Sequence, residues 1–146
     1  MVEKKTKVKS KKIKSKVSVA RGKRKESIAR VSIRKGKGIV RVNNTNLDVY
    51  GSLQMRQIIK EPLMLASKVS SEVDIKVLVN GGGSIGQAQA IRNAIAIGLI
   101  EYSDDEDLKN KLMTRDRFMV VEDARRREPK KFGGRSARAR KQKSYR

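Results

Sequence analysis

The stretch EVDIKVLVNGGGSIGQAQAIRNAIAIGLIEY, residues 72–102, contains the pattern that decides the fold. In its first part, valine or isoleucine at positions 73, 75, 77 and 79 alternates with Glu72, Asp74 and Lys76, and this period of two predicts a half-buried strand. In its last part, from about Ser84 to Tyr102, apolar residues recur three and four positions apart, which predicts a helix. A glycine-rich loop connects the two predicted elements.

The glycine loop matches a pattern of dinucleotide-binding enzymes, because Gly81, Gly83 and Gly86 fit G-x-G-x-x-G. The rest of that enzyme unit is missing from the sequence. Its acidic residue, about 20 positions further on, should end a second strand, whereas the acidic run that begins at Asp104 predicts the start of a helix. No Gly-Lys-Ser or Gly-Lys-Thr follows the loop, so a Walker A phosphate loop is disfavoured too. A nucleotide-binding enzyme is therefore the weaker interpretation.

Two other interpretations of the glycine loop stay open. The glycines could serve only to allow a sharp strand-to-helix turn with close packing. Alternatively, Gly81, Gly82, Gly83 and Ser84 hold a phosphate of a larger polyanion, because the first N–H groups of a helix point toward an anion with the helix dipole behind them. The positive charge of the chain favours the second interpretation.

The segments on either side of this unit predict an α+β domain. Between residues 17 and 44, two strands are predicted to form a hairpin through Lys35-Gly36-Lys37-Gly38, with Arg and Lys on its outward face. Residues 53–68 predict a helix that is interrupted or restarted at Pro62. Ser103 and Glu106 fit a capping box for another short helix, although the acidic run there also resembles a metal or phosphotransfer site. We expect a small sheet that helices cover on one face.

The composition restricts the chemistry that the chain can perform. It has no Cys and no His, which excludes disulfides and thiolate metal sites and removes the most common general acid and base. No apolar run is long enough to span a membrane, and the basic start lacks the apolar region of a secretory signal. We expect a cytoplasmic protein that is not an enzyme and has no cofactor and no metal.

The net charge of +22 is concentrated at the two ends of the chain. Residues 1–25 contain 12 basic residues and one acid, and residues 125–146 contain 11 basic residues and one acid, so the middle is nearly neutral. Neither arm has enough apolar surface to offset its ordering entropy, so both should be disordered alone and become ordered on a polyanion. Phe132 and Tyr145 are too few for the apolar face of a membrane-bound helix, which favours nucleic acid over a membrane or a merely solvated tail.

The composition also indicates which kind of nucleic acid is bound. Five aromatic residues in 146 argue against a base-stacking platform, so contacts should be made mainly to phosphate and shape. A folded core with long cationic extensions suits a folded RNA better than duplex DNA. A free-standing, histone-like binder remains an alternative. Arg and Lys are the phosphate ligands, Arg through bidentate geometry and Lys as a point charge.

Five collinear segments resemble small-subunit ribosomal protein family nine, and the archaeal and eukaryotic type is the nearer match. They are ARGKRKESIARVSI (residues 20–33), LQMRQIIKEPL (53–63), VNGGGSIGQAQAIRNAIAIGLIEY (79–102), LMTRDRFMVVEDARRREPKKFG (112–133) and ARKQKSYR (139–146). The resemblance covers residues 17–146 and leaves the Lys-rich start outside it.

The resemblance implies a structural protein in the head of the small ribosomal subunit, in contact with small-subunit rRNA and neighbouring head proteins. Together with the distribution of charge, it predicts three parts: a flexible basic extension (1–16), a globular α+β RNA-binding domain (17–124) and an extended basic tail (125–146). The tail would run toward the P site and contact tRNA. The matching terminal residues are Lys143, Ser144, Tyr145 and Arg146, with Arg146 the best candidate for a tRNA phosphate contact.

The family fold resembles the second domain of ribosomal protein S-five, which has a left-handed βαβ crossover. The general rule would have predicted a right-handed one. Combining the residue types with the resemblance, we expect the following rRNA-binding residues: Arg21, Lys23, Arg24, Lys25, Gly81, Gly82, Gly83, Ser84, Arg92, Arg125, Arg126, Arg127, Lys130, Lys131, Arg135, Arg138 and Arg140.

Overall fold

Five strands form one mixed sheet in the computed structural model, which describes residues 17–142 and 144. The strands are β1 (Val17–Arg24), β2 (Ser27–Lys35), β3 (Val40–Val42), β4 (Thr45–Asn46) and β5 (Val73–Asn80). They lie in the order β1-β2-β5-β3-β4. All neighbours pair antiparallel except β3 and β5, which are parallel and are connected through the helices between them.

Four helices accompany the sheet: α1 (Leu53–Leu65), α2 (Ser67–Ser70), α3 (Ser84–Ser103) and α4 (Glu106–Arg115). Short 3-10 turns lie at Leu47–Val49 and Arg117–Met119. Beyond Met119, the described residues contain no helix or strand.

Helix α3 packs across β1 and β2 and forms the centre of the core. Gly98 permits this close approach, because a Cβ there would lie 2.9 Å from side-chain carbons of Val31 and Ile33. The residues of β5 predicted to face inward are all buried, and the alternate residues of β1 and β2 are buried with them. The predicted α+β class, the strand β5, the helix α3 and the single covered sheet face are therefore confirmed.

The predicted hairpin through Lys35-Gly36-Lys37-Gly38 is wrong. Strand β5 lies between β2 and β3, so those two strands do not pair with each other. The glycine turn instead leads the chain past the start of β5, where the Gly36 N–H donates to the Glu72 carbonyl at 2.8 Å. The tight hairpin joins β1 and β2 at Lys25, whose φ is 54°. Turn residues mark where the chain bends, but the apolar face of β5 determines which strands pair.

Two further predicted boundaries are corrected by the structure. Helix α1 continues through Pro62, which is buried inside it, so the packing outweighs the backbone hydrogen bond that a proline removes. Ser103 belongs to α3, and its hydroxyl donates to the Leu99 carbonyl at 2.9 Å instead of capping α4. Asp104 ends α3 in the left-handed conformation, and Asp105 caps α4 through the Asp107 N–H at 3.0 Å. The acidic run therefore supplies a helix cap.

Candidate nucleic-acid interface

Gly81 and Gly82 form a turn that only glycine fits. Their φ angles are 73° and 64°, in the left-handed region that L side chains rarely adopt. A Cβ on Gly81 would lie 2.7 Å from the Glu26 carbonyl oxygen, and one on Gly82 would lie 2.1 Å from the Ser27 hydroxyl. The Ser27 hydroxyl also donates to the Gly81 carbonyl at 3.1 Å. The loop is thus held against the β1–β2 hairpin, and the turn interpretation holds for these two glycines.

Gly83 has a different role, because it occupies the N-cap of α3 in an extended conformation. No side chain caps this helix end, and a Cβ on Gly83 would meet no atom within 4 Å. Ser84 beside it is exposed. The open end of a 20-residue helix therefore faces outward next to the hairpin that contains Lys25. This is the geometry in which helix N–H groups bind an anion.

Of the four predicted cations of the first hairpin, Arg21 and Lys25 are exposed, Lys23 is half-buried and Arg24 is largely internal. Arg21 has a side chain that is 63% exposed, with Glu122 at 3.8 Å, and Lys23 is half-buried. Arg24 is only 18% exposed, forms an ion pair with Asp123 and donates from Nε to Gln89 at 2.8 Å. Burial, and then the nearby charges of Arg125 and Arg126, lower the pKa of Arg24. Positive charge is therefore crowded at this point.

Arg92 is likewise committed to internal carboxylates. Its guanidinium group bonds Glu61 at 2.8 Å and Asp116, and its side chain is 15% exposed. Glu61 also accepts from Arg115 at 3.1 Å. Arg92 thus joins α1, α3 and the segment after α4.

The C-terminal tail leaves the domain through a cluster of charged groups around Asp123. This buried carboxylate accepts from the backbone N–H and the guanidinium of Arg125, at 2.8 and 2.7 Å. Arg126 donates to the Asp123 carbonyl and to Glu122, both at 2.8 Å. A cavity of about 170 Å³ at this exit is lined by Arg24, Arg92 and Arg125 among others. Three predicted site residues that are distant in sequence are thus brought together.

The described part of the tail carries the remaining predicted cations on its surface. Arg127, Lys130, Lys131 and Arg135 are exposed. Arg138 pairs with Glu128 at 2.6 Å, and Arg140 donates to the Phe132 carbonyl. These two local contacts fold the chain back around Gly133, whose φ is 80°. Ser144 is exposed, whereas Lys143, Tyr145 and Arg146 lie outside the described residues.

Four exposed cations on the sheet are absent from the predicted site. Arg30, Arg34, Arg41 and Lys76 project from the face of the sheet that no helix covers. The alternation of apolar and basic residues within the strands was the signal that could have identified them.

No helix in the described part of the chain is long and apolar enough to cross a membrane.

The family comparison and the most similar relatives identify the same family. Residues 22–146 match the family described as Ribosomal protein S9/S16. The chain is 46% identical to the small ribosomal subunit protein uS9 of Thermoplasma acidophilum over 128 residues, which cover 88% of this chain and 99% of that protein.

Two further archaeal relatives have the same printed name. The small ribosomal subunit protein uS9 of Methanothrix thermoacetophila is 44% identical over 90% of this chain and 99% of its own length. That of Aeropyrum pernix is 45% identical over 89% of this chain and 97% of its own length. These matches confirm the resemblance inferred from the five collinear segments and the prediction that the chain is not an enzyme. The chain belongs to the ribosomal protein S9/S16 family.

Proposed function

We propose that this protein is a structural component of the cytoplasmic small ribosomal subunit, where it binds rRNA in the head beside neighbouring head proteins. The observation that carries the proposal is the crowding of positive charge where the tail leaves the domain. Within the described residues, the guanidinium groups of Arg24, Arg125 and Arg126 share only the two carboxylates of Asp123 and Glu122. Burial, and then the charges of Arg125 and Arg126, lower the pKa of Arg24. An RNA backbone at this edge relieves the repulsion among these cations and gains charge-assisted hydrogen bonds.

The predicted rRNA-binding residues divide into two roles in this proposal. The exposed cations Arg21, Lys25, Arg127, Lys130 and Lys131 contact phosphate directly. Arg24 and Arg92, whose guanidinium groups bond internal carboxylates, position the tail exit and the helices around it. Lys23, Arg125 and Arg126 line or adjoin the cavity at the exit and complete the local positive potential. Arg135, Arg138 and Arg140 contact RNA further along the tail, the last two after giving up their local partners.

We also propose limits for the domain and the tail and a handedness for the crossover in the fold. We assign residues 17–124 to the RNA-binding domain and 125–146 to the tail; the basic extension assigned to residues 1–16 lies outside the described residues. The parallel pair β3 and β5, with α1 between them in sequence, supports a βαβ crossover. We assign it the left-handed sense of the second domain of ribosomal protein S-five, and an experimental structure would give the handedness directly.

The tail extends the proposal to tRNA. At roughly 3.3 Å per extended residue, 22 residues reach on the order of 70 Å, far beyond the domain that holds them. We propose that the tail runs through rRNA to the P site and that Lys143, Ser144, Tyr145 and Arg146 contact the bound tRNA there.

Filter binding of the full chain to a transcript of the 3′ major domain of small-subunit rRNA tests the main proposal. We expect affinity to fall steeply with salt, with a log–log slope of about −0.7 to −0.9 for each neutralised phosphate. An unrelated structured RNA and a DNA duplex of equal length are the controls. A flat salt response would contradict RNA-backbone binding, and equal affinity for all three ligands would favour the free-standing, histone-like alternative.

A pair of substitutions at one position tests whether the glycine loop binds phosphate. Gly83→Asp and Gly83→Asn both place a preferred N-cap residue where there is open space, so both should fold. They differ only in charge. If α3 binds phosphate, Gly83→Asp weakens rRNA binding and Gly83→Asn preserves it. Equal binding by the two variants would limit the loop to its role as a turn.

A further inference from the structure

The sheet has a second face that no helix covers. In β1, β2 and β5 the inward side chains are buried, while the alternate side chains are exposed or half-buried on the opposite face. Helix α3 packs on the inward side of the sheet, and α1 packs against α3. The described residues therefore leave the outer side of this sheet, named here the open face, without a protein layer.

A band of positive charge crosses the open face from strand to strand. Arg21 on β1 lies directly opposite Arg30 on β2, and Arg41 on β3 lies directly opposite Lys76 on β5. These four residues form the cationic band. Like charges directly opposite each other on a sheet destabilise it. Two such pairs on one face cost the free protein stability, and a polyanion is the partner that would reverse this cost.

Little negative charge within the described residues neutralises the band. Asp74 is the only acid in the five strands: its Oδ1 accepts the N–H groups of Lys37 and Ile39, at 2.9 and 3.1 Å, and its charge also interacts with that of Arg41. Arg21 has Glu122 at 3.8 Å, and its side chain remains 63% exposed. Within residues 17–142 and 144, no ion pair is formed by Arg30, Arg41 or Lys76.

The shape of the open face also suits an extended ligand. A depression of about 410 Å³ is lined by Ser32, Arg34, the carboxylate-bearing Asp74 and the two band residues Arg41 and Lys76, among others. Apolar Val19 and Leu78, which are 69% and 51% exposed, border the band. With strands about 4.8 Å apart, four strands span about 14 Å. This width matches a short run of consecutive phosphates of one nucleic-acid strand.

We propose that the open face is a second rRNA-binding surface, which contacts the sugar–phosphate backbone through Arg21, Arg30, Arg41 and Lys76. This inference rests on the proposed rRNA-binding function and adds a surface distinct from the glycine loop and the tail. The charge of the band selects RNA over a protein partner, and the apolar residues beside it pack against sugars. Contacts made in this way are insensitive to base sequence.

Substitution of two band residues in the full chain tests the proposal. Arg30→Gln with Arg41→Gln removes one member of each like-charged pair. Lys109→Gln with Lys111→Gln, two exposed residues of α4, is the matched control with the same loss of charge. Binding to the 3′ major domain transcript is measured between low and moderate salt for both variants and for the unmodified chain.

We expect the band variant to lose roughly tenfold in affinity and its salt slope to fall by about 1 for each lost contact. The control should bind as the unmodified chain does. The band variant should also unfold no more easily, because it removes repulsion between opposing cations. Urea unfolding followed by circular dichroism measures the stability of the band variant. If affinity falls while stability does not, the band acts in binding and not in folding.

The possible outcomes separate this inference from the function on which it rests. If the unmodified chain fails to bind rRNA, the proposed function itself is wrong. If the unmodified chain binds and the band variant matches it in affinity and slope, the function stands and the open face is not an RNA surface. If the band variant binds rRNA normally but loses a neighbouring head protein during reconstitution, the open face is a protein surface and the inference is overturned.

Discussion

Arg24 in β1 and Asp123 at the start of the tail form an ion pair that joins positions 99 residues apart in sequence. Asp123 is 4% exposed, and Arg24 also bonds Gln89 of α3. The pair therefore fixes the tail exit against both the first strand and the helix that follows the glycine loop. The tail leaves the domain from a defined point and in a defined direction.

Asp123→Asn should destabilise the domain, because it leaves the guanidinium groups of Arg24 and Arg125 without their shared carboxylate. We expect the free energy of unfolding to fall by about 1–3 kcal/mol, the usual cost of unsatisfied buried polar groups. Urea denaturation followed by circular dichroism measures it. Glu122→Gln removes the same charge one position away, at an exposed pair, and should cost less than about 1 kcal/mol. Equal losses of unfolding free energy for the two substitutions would show that the buried Asp123 pair stabilises the domain no more than an exposed pair does.

Alanine should destabilise the domain much more at Gly82 than at Gly83. At Gly82, a Cβ would meet the Ser27 hydroxyl at 2.1 Å and the φ of 64° is strained, so Gly82→Ala should cost about 1–3 kcal/mol. At Gly83 the space is open and φ is −102°, so Gly83→Ala should cost less than about 1 kcal/mol. Thermal unfolding of the two variants gives the comparison directly. A loss of more than about 1 kcal/mol of unfolding free energy for Gly83→Ala would mean that Gly83 is also required by the turn.

Asp74 should make part of the domain's stability depend on pH. The backbone N–H groups of Lys37 and Ile39 hold its pKa below the ordinary value of 3.8. A depressed folded pKa gives a stabilisation that is fully present above 3.8 and is lost as the pH falls from there through the folded pKa. Asp74→Asn should therefore be less stable than the unmodified chain at pH 7, and this difference should shrink in acid.

Urea denaturation at pH 7 and at successive values below pH 4 measures the effect of Asp74→Asn. Glu72→Gln, at an exposed neighbouring carboxylate, controls for the loss of one negative charge. A stability difference that stays constant across this range would show that the two N–H bonds do not favour the ionised carboxylate.

The sequence predicted the elements of the fold better than their pairing. The alternation in β5 and the spacing in α3 gave both elements nearly to their ends, because one buried face imposes its period on the residues. The pairing of β2 with β5 depends on contacts between residues that are far apart in sequence, from Lys35 with Val73, 38 positions apart, to Ile28 with Asn80, 52 positions apart. The glycines at positions 36 and 38 indicated where the chain bends but not which strands pair. Pro62 was misleading for the same reason, since its burial outweighs its local preference.

The candidate site was predictable in residue type but not in role. Counting charge identified both arms and the basic start of the first hairpin. It could not show that Arg24 and Arg92 bond internal carboxylates, because Asp123 and Asp116 come close to them only after folding. It could not choose between turn and phosphate loop for the glycines either. The structure divides them, since Gly81 and Gly82 are required by the backbone and Gly83 is free of steric contact.

Removal of residues 135–146 should separate the role of the tail from that of the domain. These residues contribute six positive charges and lie beyond the Asp123 cluster, so the shortened chain should keep its cooperative unfolding and should still join reconstituted small subunits. Affinity of those subunits for P-site tRNA should fall, because the proposed contacts of Arg146 and its neighbours are lost. Removal of residues 1–16, which carry a net charge of +7, is the matched control and should leave tRNA affinity unchanged. If both truncated chains gave subunits that bind tRNA equally, total charge would govern the effect and the tail would have no specific role at the P site.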